Sequence, residues 1–227
     1  AIGHESLRLL NAGADGNNVA VGYDSGKAMT TGIENTIVGG EAGDALTTGS
    51  QNVAIGRGAL GSEDTKGKAV AVGYAALNAQ NASSDTYNVA VGYNAGIKVT
   101  TGVYNVLIGG QTGEDLTQGS QNIAIGLNAL RREDTHDYNI AIGTSALSNQ
   151  NAGADAYNTA VGHKAGEDIT TGLYNTILGG EALSTNIDGD KNTAIGFRAL
   201  RNFEADAYGH GAVSYTHLRA HETMGDL

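Results

Sequence analysis

An aliphatic residue followed by glycine returns along this chain at a fixed interval, and that recurrence restricts the fold more than any other feature. The glycine falls at Gly3, Gly22, Gly39, Gly56, Gly73, Gly92, Gly109, Gly126, Gly143, Gly162, Gly179 and Gly196. Three steps of 17 residues and one of 19 make a super-repeat of 70. The residue two before the glycine obeys the longer period: it is Ala except at Ile37, Leu107 and Ile177. Periods of this size mark repeat architectures in which each unit buries its core against its neighbours.

Each column of the repeat has a physical reading. Val, Ile or Thr stands three before the glycine and an aliphatic residue stands one before it, which suits a short strand. Four before it stands Asn18, Asn35, Asn52, Asn88, Asn105, Asn122, Asn139, Asn158, Asn175 or Asn192, with Ala69 the exception. Asn and Gly at the strand ends tolerate left-handed backbone and turn the chain. In a coil of constant length these asparagines stack, and stacked amides can hydrogen-bond along the ladder. Three after the glycine the residue is always small, and the next is only Gly or Leu. The pattern therefore predicts an all-β, parallel β-solenoid of about 12 coils over residues 1–208. At ~4.8 Å per coil it is a rod roughly 55–60 Å long. The two extra residues of the 19-residue coils are expected to bulge outward. Residues 209–227 match no column and are expected to lie outside the fold, as a translation artefact or a disordered terminus. The chain opens mid-coil, at Ala1-Ile2-Gly3, and so reads as a fragment.

Strand side chains alternate faces. Val19 and Val21 lie on one face, and Asn18, Ala20 and Gly22 on the other, with no charge in the middle of either. A strand apolar on both faces is normally covered on both, whereas a thin solenoid covers one. The uncovered stripe predicts self-association, most simply as a homotrimer about a long axis. The 35 Gly and absent Pro fit an unbroken backbone ladder. Absence of Cys excludes disulfides and thiolate metal sites. A net charge of −11 argues against nucleic acid and anionic membrane surfaces as partners.

The unit Asn52-Val53-Ala54-Ile55-Gly56, with a small residue three further on, resembles the head repeat of trimeric autotransporter adhesins, the YadA-like left-handed β-roll. Residues 158–180, NTAVGHKAGEDITTGLYNTILGG, are also similar to repeats in tail-fibre-like proteins of phages and environmental bacteria. The resemblance spans residues 1 to about 208, although these coils are longer than those of the adhesin heads. It implies a homotrimeric, extracellular segment, on a bacterial cell surface or a virion tail, that attaches to a host-surface glycan or protein receptor. It implies no catalytic residue, cofactor or metal.

Other chemistries fit the residues less well. Glu63-Asp64, Glu133-Asp134 and Glu114-Asp115 suggest the carboxylates of a glycan-cleaving tailspike, but two of the pairs recur at the super-repeat period, which an active site does not do along a rod, and they read as solvated turns. His4, His136, His163 and His210 occupy scattered positions and read as surface residues. An acyltransferase on a hexapeptide helix needs an aliphatic anchor every six residues, and here the anchor comes once per coil. Thr30-Thr31, Thr47-Thr48, Thr100-Thr101 and Thr170-Thr171 suggest a monomeric ice-binding solenoid, yet the ranks break at Gln118 and in the coils ending near Lys66 and His136. Tyr87, Tyr104, Tyr138, Tyr157 and Tyr174 all precede the Asn column and either cover the coil corner or form a binding strip.

Overall fold

The computed structural model describes residues 1–13, 15–203 and 213–215. Twelve three-residue strands form one sheet: β1 (Val19–Val21), β2 (Thr36–Val38), β3 (Val53–Ile55), β4 (Val70–Val72), β5 (Val89–Val91), β6 (Val106–Ile108), β7 (Ile123–Ile125), β8 (Ile140–Ile142), β9 (Thr159–Val161), β10 (Thr176–Leu178), β11 (Thr193–Ile195) and β12 (Val213–Tyr215). The strands lie in chain order and every pair is parallel. Each coil therefore contributes one strand, and the chain is a β-solenoid without helix among the described residues. Equivalent residues face each other: Val70 pairs with Val89 across a 19-residue coil as squarely as Val53 pairs with Val70 across 17. The extra residues leave the register untouched, and Ser83 and Ser84 beside them are exposed. β12 falls within the stretch that matches no repeat column. It pairs with β11 after a step of 20 residues, Thr193 to Val213.

The glycine column is set by coil-to-coil contact. These glycines have φ between +120° and +144°. From Gly3 through Gly179, a Cβ would collide with the backbone of the next glycine in the column; at Gly109 it would lie 2.5 Å from the carbonyl oxygen of Gly126. Glycine is required here by both φ and space.

The asparagine ladder differs in detail from stacked amides. Asn122 Oδ1 accepts the backbone N–H of Asn139 at 2.9 Å, and its Nδ2 donates to the carbonyl of His136 at 3.0 Å. The same Oδ1 bond joins Asn35 to Asn52, Asn88 to Asn105 and Asn175 to Asn192. An amide-to-amide bond is seen from Asn35 to Asn18. The residue before each Asn, such as Tyr104 or Gln121, has left-handed φ. The buried Asn N–H is left outside the strand pairing and takes the nearest acceptor, the side chain of the coil before it.

The core is thin because its walls are small residues. Ala20, Ala54, Ala90, Ala124 and Ala160 point inward from the strands, and Ala42, Ala59, Ala95, Ala129 and Ala165 meet them from the opposite side. Where the strand carries a large residue, the far wall of the coil before it has glycine, and at Ile37 and Leu107 so does its own coil, whereas the coil of Ile177 has Leu183 there. A Cβ on Gly96 or Gly113 would lie 2.6 or 3.0 Å from the Leu107 methyls, and Gly26 and Gly166 stand in the same relation to Ile37 and Ile177. The super-repeat is thus a pairing of side-chain sizes across the core.

Seven residues after each column glycine comes a second inward column. It holds Met29, Leu46, Val99, Leu116 and Ile169, all buried, but also Glu63, Gln80, Glu133 and Gln150, equally buried. The acidic pairs are therefore not solvated turns in full: Glu63 and Glu133 turn inward while Asp64 and Asp134 remain partly exposed. Glu133 Oε1 accepts the backbone N–H groups of Asp134 and His136 and lies 2.7 Å from His136 Nδ1. Oε2 accepts from Gln150, which also donates to Asn139. Gln80 bridges Glu63, Thr86 and Asn88 in the same way. These nodes replace the Thr-Thr turn where it is missing, and they satisfy every group they bury.

Gly109→Ala is expected to lose about 1–3 kcal/mol to backbone strain alone and more to the clash with Gly126. Gly40→Ala, whose nearest neighbour would be 4.0 Å away, should keep the wild-type denaturation midpoint. Leu107→Ala should cost about 2–5 kcal/mol, since Gly96 and Gly113 cannot fill the space left behind.

Candidate interaction surface

The rod has two unlike flanks. On the strand flank, the residues three and one before the glycine point outward: Val89 and Val91, Val106 and Ile108, Ile123 and Ile125, and their equivalents. None of these positions in β1–β11 is charged, and none is buried. Val19 is 51% exposed, Leu178 50% and Ile195 40%. At ~4.8 Å per strand, the stripe is two side chains wide and about 50 Å long.

The opposite flank is ionic. Lys98 lies 2.6 Å from Asp115, Arg131 2.7 Å from Glu114 and Arg198 2.8 Å from Glu181, each pair one coil apart. A groove of about 280 Å³ on this side is lined by His163, Glu181, Arg198 and Arg201. The Arg198 guanidinium holds the Glu181 carboxyl below the usual carboxylate range, the wrong direction for a general acid. Glu133 is shifted the other way by burial, but it is sealed from solvent and out of reach of a polysaccharide.

Tyrosines border the apolar stripe. Tyr138 stacks on Tyr157 with ring centroids 4.9 Å apart, Tyr157 on Tyr174 at 5.6 Å and Tyr87 on Tyr104 at 5.4 Å, with planes within 10°. Gln121 separates the two groups, and all five rings are partly exposed. The rings occupy one another's faces and present edges and hydroxyls to solvent. The sequence reading missed the column just after the glycine, which forms the other border. Tyr74 and Tyr93 stack there at 5.4 Å, and Tyr23 stacks on His4 at 5.2 Å. Its signal was present in Tyr-Asn-Val-Ala-Val-Gly-Tyr, residues 87–93, where tyrosine stands at both ends of the strand unit.

The remaining candidates are tied down internally. Thr30, Thr100 and Thr170 use their hydroxyls on the carbonyls of Thr47, Thr117 and Ile187 in the next coil, so the first threonine of each pair serves the turn. His136 is not a surface residue: its side chain is largely buried against Glu133. Glu133, Asp134 and His136 are close enough to share an ion, as are His4, Glu5 and Asp24. In the first group Glu133 is saturated by four donors. In the second, Lys27 takes Asp24 at 2.9 Å and Arg8 takes Glu5 at 3.1 Å. No helix among the described residues is long and apolar enough to cross a membrane. Compared with family models, curated proteins and solved structures, the chain matches none.

Burial pushes the Glu133 carboxyl above its ordinary value of 4.5, against the opposing pull of His136. The folded chain then holds a proton that the unfolded chain releases, so this group adds stability as pH falls from neutral toward 4.5. The denaturation midpoint of the wild type, measured against Glu133→Gln, should rise between pH of about 7 and about 5. A flat or falling difference contradicts it.

Proposed function

We propose that this chain is a segment of a non-enzymatic, extracellular fibre, in which three copies pack about a common long axis and present repeated surface for attachment. The observation that carries this reading is the outer strand face, which is apolar or Thr-bearing and free of charge over eleven consecutive coils. A surface of that extent on one thin rod favours burial against like surfaces. Identical coils stacked in parallel offer the same stripe at every level, so sister chains can meet level by level under closed rotational symmetry. A stripe only two residues wide is enclosed when three rods each supply one side. The paired charges of the opposite flank then face water.

Attachment fits the same geometry. Three identical rods repeat any weak contact along and around the shaft, and such contacts add through effective concentration. The resemblance of the Asn-Val-Ala-Ile-Gly units to adhesin heads and of the longer coils to tail-fibre repeats points to a bacterial surface or a virion tail, with a host glycan or protein as the partner.

Sedimentation equilibrium on the full chain should give three times the chain mass, and a stable monomer overturns the assembly. Ile125→Lys, in the middle of the stripe, should shift the mass to that of one chain while the far-ultraviolet β signal is kept. Cell binding of the labelled chain should fall about 10²-fold or more with that substitution if attachment is multivalent.

A further inference from the structure

The tyrosine borders carry a chemistry independent of how the rods assemble. Tyr138, Tyr157 and Tyr174 are 38%, 46% and 51% exposed and form a continuous stack, and Tyr87–Tyr104 and Tyr74–Tyr93 form exposed pairs. The sequence contains neither Cys nor Trp, and Met29 is fully buried. The side chains that compete with tyrosine for a one-electron oxidant are thus missing from the described surface. We infer that neighbouring tyrosines on successive coils are a modification site for oxidative coupling to dityrosine, which staples one coil covalently to the next.

The coupling balances with a peroxide. Each phenol gives one electron and its hydroxyl proton to hydrogen peroxide acting through a haem peroxidase, which is reduced to two molecules of water. The two phenoxyl radicals join through ring carbons ortho to the hydroxyls, forming one C–C bond. Each ring then returns its displaced ortho hydrogen to its own oxygen, restoring the phenol. The net change is two tyrosines and one peroxide giving dityrosine and two waters. Ring planes within 14° and centroids 4.9–5.6 Å apart hold the two phenols of each pair face to face, so rotation of the exposed side chains can bring their ortho carbons to bonding distance. The joined residues are 17 or 19 apart in sequence, hence each bond closes one coil.

The test treats the full chain with a haem peroxidase and hydrogen peroxide, reads dityrosine fluorescence and maps the joined peptides by mass. Expected are peptides joined through Tyr138–Tyr157 or Tyr157–Tyr174, Tyr87–Tyr104 and Tyr74–Tyr93, each lighter by two hydrogens, in a yield that does not change on tenfold dilution. Tyr157→Phe should abolish the joined peptides of the first group and leave those of Tyr87–Tyr104, which also shows that the variant is folded. Absence of dityrosine in the wild type overturns the inference. So do bonds between like-numbered tyrosines, or a yield that falls on dilution, because both place the coupling between chains.

Discussion

Every part of this molecule depends on hydrogen bonding between consecutive coils around the whole perimeter. In the strands Val89 donates to Asn105 and Gly109 to Val91; on the far wall Gly96 donates to Thr112 and Gln111 to Tyr93; at the turn Thr100 donates to Thr117. Those bonds fix one spacing everywhere, so any residue type that recurs becomes a stack. Asparagines stack into a ladder, tyrosines into ring columns, and glycines into a seam where no side chain fits. Charges would also stack and repel. On the far wall opposite signs stack instead, as at Lys98 over Asp115 and Glu114 beside Arg131.

This arrangement shifts the source of stability. The interior is mostly Ala and other small groups, so its apolar burial per coil is modest. Its backbone is also costly, because Leu60, Leu130 and Tyr104 adopt left-handed φ, at about 1–2 kcal/mol each. What offsets the cost is satisfaction of peptide groups on both sides of each coil, completed by side chains that reach the backbone. Asn122 and the Glu133–Gln150 node are the clearest cases: each joins two coils through atoms that water would otherwise claim.

The period was legible because it lives in the backbone. Gly109 and Asn122 recur for reasons that a fixed coil length imposes, and twelve repetitions make the columns plain. Facing was legible too, since Val-Ala-Val must alternate. What resisted reading was which wall a turn residue faces. Glu133 looks like a surface acid beside Asp134, and only alignment with Leu116 and Met29, in the column seven after the glycine, marks it as inward. The mode of the asparagine bonds was equally hidden, because it depends on the left-handed residue preceding each Asn. The second tyrosine border escaped notice because Tyr74 and Tyr93 share their column with Arg57, Gly110 and Leu127.

The match between Leu107 and its facing glycines bears on how such a rod changes length over generations. Recombination that removed the coil of Leu107 and Gly113 would preserve the hydrogen-bond ladder yet leave Gly96 facing alanine, a hollow in the core. Removal or duplication of the whole block of 70 restores both the ladder and the fit. Growth and shortening of this rod by whole blocks therefore carry over the spacing of the ladder and the filling of the core together.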